Sequence, residues 1–148
     1  MESKEISILI VEDDEFAREG LTTLLGAHYS CFSAATAEEA MRLIGARFFN
    51  LVLTDIHLPG ASGLELCRFV YKISPETVMM VMTGMADIRY RSKALGQGVL
   101  YYIDKPIDLQ KLLIWIESGL NSQALAAARH RNDQPTSQAF RTLWLKAS

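Results

Sequence analysis

Five times along this chain, a short apolar run rich in β-branched residues gives way to a segment whose apolar residues recur at helical spacing, and that alternation restricts the fold more than any other feature. Ile6 to Val11 is followed by an acidic cluster and a helical pattern through Phe16, Leu21, Leu24 and Leu25. Tyr29 to Ala34 precedes a helix capped by Thr36, with Glu38 and Glu39 in the first turn, where the helix dipole favours acids. Leu51 to Thr54 precedes a helix opened by Ser62 and running through Leu64, Leu66, Phe69 and Val70; Val78 to Met82 precedes a helix over 87–95; Val99 to Ile103 precedes a helix from Asp108 onward. Repeated strand and helix units imply parallel strands joined by right-handed crossovers with helices on both faces, a doubly wound α/β sheet. Such a sheet buries its central strands on both sides, which accounts for the unbroken apolar run Val78-Met79-Met80-Val81-Met82.

The 148 residues, 49% apolar and 22% charged, suit one domain with its own core. Net charge is unevenly spread: residues 1–120 hold 11 Lys and Arg against 16 Asp and Glu, and residues 121–148 hold 4 against 1. No dense basic stripe with interleaved aromatics is present, so direct nucleic-acid contact is not expected. Cys31 and Cys67 are far apart in apolar surroundings and form no C-x-x-C pair, which fits reduced core residues in a cytoplasmic protein. The first apolar run ends at Glu12, too short for a signal segment or a membrane span. After Leu120 the composition changes: Ala124 to Arg131 can prolong the last helix, Pro135 marks a break, and Phe140, Leu143 and Trp144 share a short helical face. The expected division is a main domain over 1–120 and a helical extension or linker over 121–148, which is too short for a typical further domain.

Ligands of open α/β sheets bind beyond the carboxyl ends of the strands, so the residues at those ends are the ones to inspect. The first strand ends in Glu12-Asp13-Asp14, the third in Asp55, the fourth in Thr83-Gly84, and the fifth leads to Lys105-Pro106. Converging carboxylates repel one another and stay ionised only beside a cation, and oxygen ligands of hard charge point to Mg²⁺. An Asp carboxylate in such a site can attack phosphorus to give an aspartyl phosphate, with Lys105 neutralising phosphoryl oxygens and the Thr83 hydroxyl hydrogen-bonding one of them. Asp14 and Glu15 read as a solvated helix start, and the His57 side chain as flanking the site. On the last helix Leu109, Leu112, Leu113, Ile116 and Leu120 form an inward stripe; Ile114 and Trp115 fall partly outside it, as a partner or dimer contact or under the tail.

The segments Ile-Leu-Ile-Val-Glu12-Asp13, Thr-Asp55-x-x-Leu-Pro59-Gly60-x-x-Gly63, Met-Thr83-Gly84 and Tyr102-x-x-Lys105-Pro106 resemble the receiver domain of two-component response regulators, from residue 6 to about 120. The resemblance implies a flavodoxin-like strand order 2-1-3-4-5. It implies phosphorylation at Asp55, with Mg²⁺ bound by Asp13, Asp55 and the His57 backbone carbonyl and by Glu12 through water. Thr83 and Tyr102 become the switch residues, Lys105 the phosphoryl contact, and the Lys105-Pro106 bond is expected to be cis. The implied partners are a sensor histidine kinase or phosphotransfer protein as donor, a downstream protein reading the face of the fourth helix, fifth strand and fifth helix (Arg89, Arg91 and Lys93 colouring it), and a possible homodimer. On this reading the chain is a phosphoryl acceptor and not a turnover enzyme. Two alternatives stand beside it. The chain is the receiver piece of a longer regulator with a DNA-binding or enzymatic output, or it is a Mg²⁺-dependent aspartate-nucleophile phosphohydrolase. Such hydrolases place a second Asp two residues after the nucleophile, where this sequence has His57.

Overall fold

The computed structural model describes residues 5–84 and 99–132. Five strands, β1 Ser7–Val11, β2 Ser30–Ala34, β3 Leu51–Asp55, β4 Val78–Thr83 and β5 Val99–Asp104, form one sheet in the order β2-β1-β3-β4-β5. All four pairings are parallel. Helices α1 Glu15–Gly26, α2 Ala37–Ala46 and α3 Gly63–Ile73 follow the first three strands, and a C-terminal helix, Leu109–Asn132, follows β5. The expected helix over 87–95, with Arg89, Arg91 and Lys93, and the tail residues Phe140, Leu143 and Trp144 lie outside the described residues.

Helix starts are fixed by side chains that satisfy otherwise orphaned N–H groups. Asp14 accepts from Ala17 N–H, Thr36 from Glu39 N–H, and Ser62 and Glu65 form a reciprocal capping box. The Asp108 carboxylate accepts from the N–H groups of Gln110 and Lys111 at the start of the C-terminal helix. That helix runs without interruption through residue 120, and its 24 residues span roughly 36 Å.

Side-chain alternation sorts the strands into two cores. Leu9, Val11, Val52, Met79 and Val81 pack beneath α2 and α3 with Ala40, Leu66 and Val70. Ile8, Ile10, Leu51, Leu53, Met80 and Met82 pack against Leu21 and Leu25 of α1 and Leu112 and Ile116 of the C-terminal helix. β1, β3 and β4 are buried at every position, whereas the edge strand β2 is half-open.

Two positions depart from the sequence pattern. Phe16 is 87% exposed, because at 100° per residue it lies about 140° from Leu21 and about 180° from Leu25, the residues that turn inward. Leu109 has the stripe's angle yet remains 45% exposed, since the first residue of a helix has no preceding turn to cover it. Trp115 is half-buried and stacks on Tyr101 at 5.9 Å, whereas Ile114 is 63% exposed.

Candidate functional site

The parallel register brings the sequence-selected residues to one rim. Val11 is level with Thr54, so Glu12 and Asp55 leave neighbouring strands side by side; Thr83 is level with Asp104, one residue before Lys105. Backbone pairing persists to the rim: Glu12 N–H donates to the Ala34 carbonyl at 3.1 Å, Ile56 N–H to Met82 at 2.9 Å, and Lys105 N–H to Thr83 at 2.7 Å. These bonds fix where the side chains begin.

Lys105 Nζ donates to Glu12 Oε1 and to Asp55 Oδ2, each at 2.8 Å. Glu12 is 2% exposed and Asp55 7%, while Asp13 faces solvent. Burial raises the Glu12 pKa, outweighing the hydrogen bonds from Lys105 and from Asp14 N–H, and the Asp55 charge pushes in the same direction. Burial also works against the Lys105 charge, yet its bonds to Asp55 and Glu12 prevail and hold its pKa above the ordinary lysine value. One ammonium is thus shared by two buried carboxylates and leaves one negative charge uncompensated, a pattern common at functional sites.

Glu12, Asp13 and Asp55 each offer a carboxylate oxygen, and the three oxygens lie within 4.8 Å of one another. Three hard oxygen donors, one of them open to water, fit a small divalent cation that keeps part of its hydration shell. His57 N–H donates to Asp55 Oδ1 at 3.1 Å and so orients that carboxylate, while the residue itself is exposed. Thr83 is fully buried at the end of β4, Tyr102 is half-buried with its hydroxyl oxygen inside, and the Lys105-Pro106 bond is cis. Glu12, Asp13, Asp55, His57, Thr83 and Lys105 all therefore sit at or beside the carboxyl rim, as the sequence led us to expect.

Two contributors, Arg18 and Glu38, were not apparent as such from the sequence, and a third, Gly63, stood there only as part of a motif without its spatial reason. Arg18 Nη1 donates to the Glu12 carbonyl at 2.9 Å and pins the acidic loop from the first turns of α1. Its spacing of six from Glu12 carries no helical signal, because Glu12 precedes the helix. Gly63 matters for space: a Cβ there would stand 2.2 Å from the Asp55 carbonyl oxygen and 2.8 Å from Ile56 Cα, so only glycine lets α3 start this close to the end of β3. Glu38 reaches from α2 to accept from Ala61 N–H at 3.1 Å.

The response regulator receiver domain family matches residues 8–117, and the chain belongs to that family. Among solved structures it resembles a CheY-like response regulator receiver domain protein from Methanospirillum hungatei, 35% identical, with a TM-score of 0.78 over 80% of this chain and 96% of that one. The phosphoglycerate transport system transcriptional regulatory protein PgtA of Salmonella typhimurium is 30% identical over 93% of this chain and 34% of its own length. Response regulator protein PilR of Pseudomonas aeruginosa is 34% identical over 70% of this chain and 24% of its own length. The chain thus spans about a third or less of these two regulators. No helix among the described residues is long and apolar enough to cross a membrane.

Proposed function

We propose that Asp55 accepts a phosphoryl group from the phosphohistidine of a sensor histidine kinase or phosphotransfer protein in the cytoplasm. The observation that carries this reading is the double salt bridge of Lys105 to Asp55 and Glu12, at 2.8 Å each, beside the three clustered carboxylates. Asp13, Asp55 and the His57 backbone carbonyl would hold Mg²⁺, with Glu12 assisting through water. When bound, the ion supplies positive charge for the phosphoryl oxygens.

An Asp55 oxygen attacks phosphorus in line, the P–N bond to the imidazole breaks, and the departing nitrogen keeps the electron pair and is protonated on release. His57 N–H holds the other Asp55 oxygen and so aims the attacking one. Lys105 shifts its hydrogen bond from the carboxylate to the new phosphoryl oxygens. The Thr83 hydroxyl donates to another of those oxygens, and Tyr102, whose hydroxyl oxygen is already inside, is held in that position. The added charge thereby biases a two-state surface that includes β5 and the C-terminal helix. Residues 1–120 are the receiver and 121–148 an extension or linker; the greater length of the relatives supports the further reading that this unit governs an output domain. Homodimerisation is part of the proposal, and the NtrC4 receiver, solved as a beryllofluoride-activated dimer, is 26% identical with a TM-score of 0.75.

Incubation with acetyl phosphate tests the reading, with Mg²⁺ or with a chelator. We expect one phosphate-sized gain in intact mass that requires Mg²⁺, with release of free phosphate limited to slow decay of that adduct. Rapid, continuing hydrolysis of phosphate esters would favour the phosphohydrolase instead. Size exclusion of the same samples reports on dimerisation.

A further inference from the structure

The loop between β3 and α3 carries the main-chain groups that address Asp55, and both its ends are anchored. Ile56 N–H donates to Met82 at the start, Gly63 N–H closes back on the Ile56 carbonyl at 2.9 Å, and His57 N–H sits on Asp55 Oδ1. Its middle is a turn with Gly60 at φ 76°, a left-handed conformation that disfavours any side chain.

The Glu38 carboxylate rests against that bare glycine: a Cβ on Gly60 would lie 2.7 Å from Glu38 Oε2. The same oxygen accepts the Ala61 N–H at 3.1 Å, a bond between residues 23 positions apart. The adjacent Glu39 is used locally, accepting from Ala35 N–H at 3.2 Å just ahead of its own helix. The two glutamates of the first turn of α2 therefore have different duties: one finishes its helix, and the other reaches out to a different loop.

Resting on Asp55 as the phosphoryl acceptor, we propose that Glu38 is a positioning residue for it. Its carboxylate holds the 56–62 loop in the one turn geometry that keeps the His57 main chain on the Asp55 carboxylate. Glu38 touches neither the phosphoryl donor nor the carboxylate cluster; it acts through Ala61 and Gly60. The requirement is an acceptor oxygen at that distance and not a negative charge, because the bond it makes is to a backbone N–H.

Two variants at this exposed position separate the possibilities. Glu38→Gln keeps an acceptor oxygen, and Glu38→Ala removes it. In cation-free protein, hydrogen exchange of the 56–62 segment should speed up on the order of tenfold in E38A and stay near wild type in E38Q. With acetyl phosphate, the Mg²⁺ concentration for half-maximal phosphorylation should rise on the order of tenfold in E38A, the size seen when supports of metal ligands are lost, and recover in E38Q. Unchanged exchange in E38A overturns the inference, as does E38Q behaving like E38A. If wild type takes no phosphoryl group, the failure belongs to the assignment of Asp55, and the exchange arm still decides whether Glu38 holds the loop.

Discussion

At the amino rim of the sheet the buried polar side chains, Ser7 and Thr77, are neutral and hydrogen-bonded, whereas at the carboxyl rim two of the buried ones, Glu12 and Asp55, are carboxylates that share the Lys105 ammonium. Ser7 N–H donates to Asn50 Oδ1 at 3.0 Å, Thr77 Oγ1 to the Phe49 carbonyl at 2.7 Å, and the Ser74 and Thr77 hydroxyls lie 2.7 Å apart. Across the molecule, Lys105 divides its ammonium between Glu12 and Asp55. Both rims cap the same strands. One is closed by hydrogen bonds that satisfy each other, and the other keeps two carboxylates that a single lysine bridges without balancing their charge. Local stability and chemistry have been placed at opposite ends of one scaffold.

The largest break in this contrast should come from Gly63→Ala. The new methyl meets backbone on β3 and not a movable side chain, so the start of α3 must shift; we expect a loss of about 3 kcal/mol in denaturant unfolding, with phosphorylation strongly impaired. Lys105→Met leaves the two carboxylates facing each other, one of them almost fully buried. In cation-free buffer it should cost on the order of 2 kcal/mol, and added Mg²⁺ should restore more stability to the variant than to wild type. Thr77→Val at the opposite rim removes a buried hydroxyl bond and should cost about 1 kcal/mol while leaving the rate of phosphorylation unchanged. A slowed rate in T77V would erase the distinction between the rims.

The smallest effect is a pH dependence. Burial opposes the Lys105 charge, but its hydrogen bonds to Asp55 and Glu12 hold its pKa above the ordinary 10.5. The folded state therefore binds this proton more tightly than the unfolded chain. The resulting stabilisation is complete below pH 10.5 and fades as the pH climbs through the folded value. Denaturant midpoints measured through this range should fall more steeply in wild type than in K105M.

The strand ends were legible in the sequence because a parallel sheet needs apolar runs buried on both faces, and whatever terminates such a run is carried to one rim. That is why Asp55, Thr83 and Lys105 could be selected before any coordinates. The free thiols follow the same logic: burial pushes Cys67 up to about 12 and Cys31 to about 11, so both stay protonated within the apolar layers. Other features needed three dimensions. Glu12 and Asp13 are adjacent in an acidic run, yet one is buried and the other faces water, a difference set by the register of β1 against its neighbours. Glu38 looked like a dipole-favoured acid in a first turn, since nothing local announces a hydrogen bond to a loop 23 residues away. Phe16 belongs to the apolar pattern that announces α1 yet faces solvent, because apolar spacing shows a helix before it shows which face the sheet covers.

Mapping the attachment site tests the central claim most directly. After treatment with acetyl phosphate and Mg²⁺, proteolysis and fragment mass spectrometry should locate the added phosphoryl group on Asp55, and Asp55→Asn should remain folded and unmodified. A phosphoryl group found on Asp13 or on a histidine, or undiminished modification of D55N, would contradict the account.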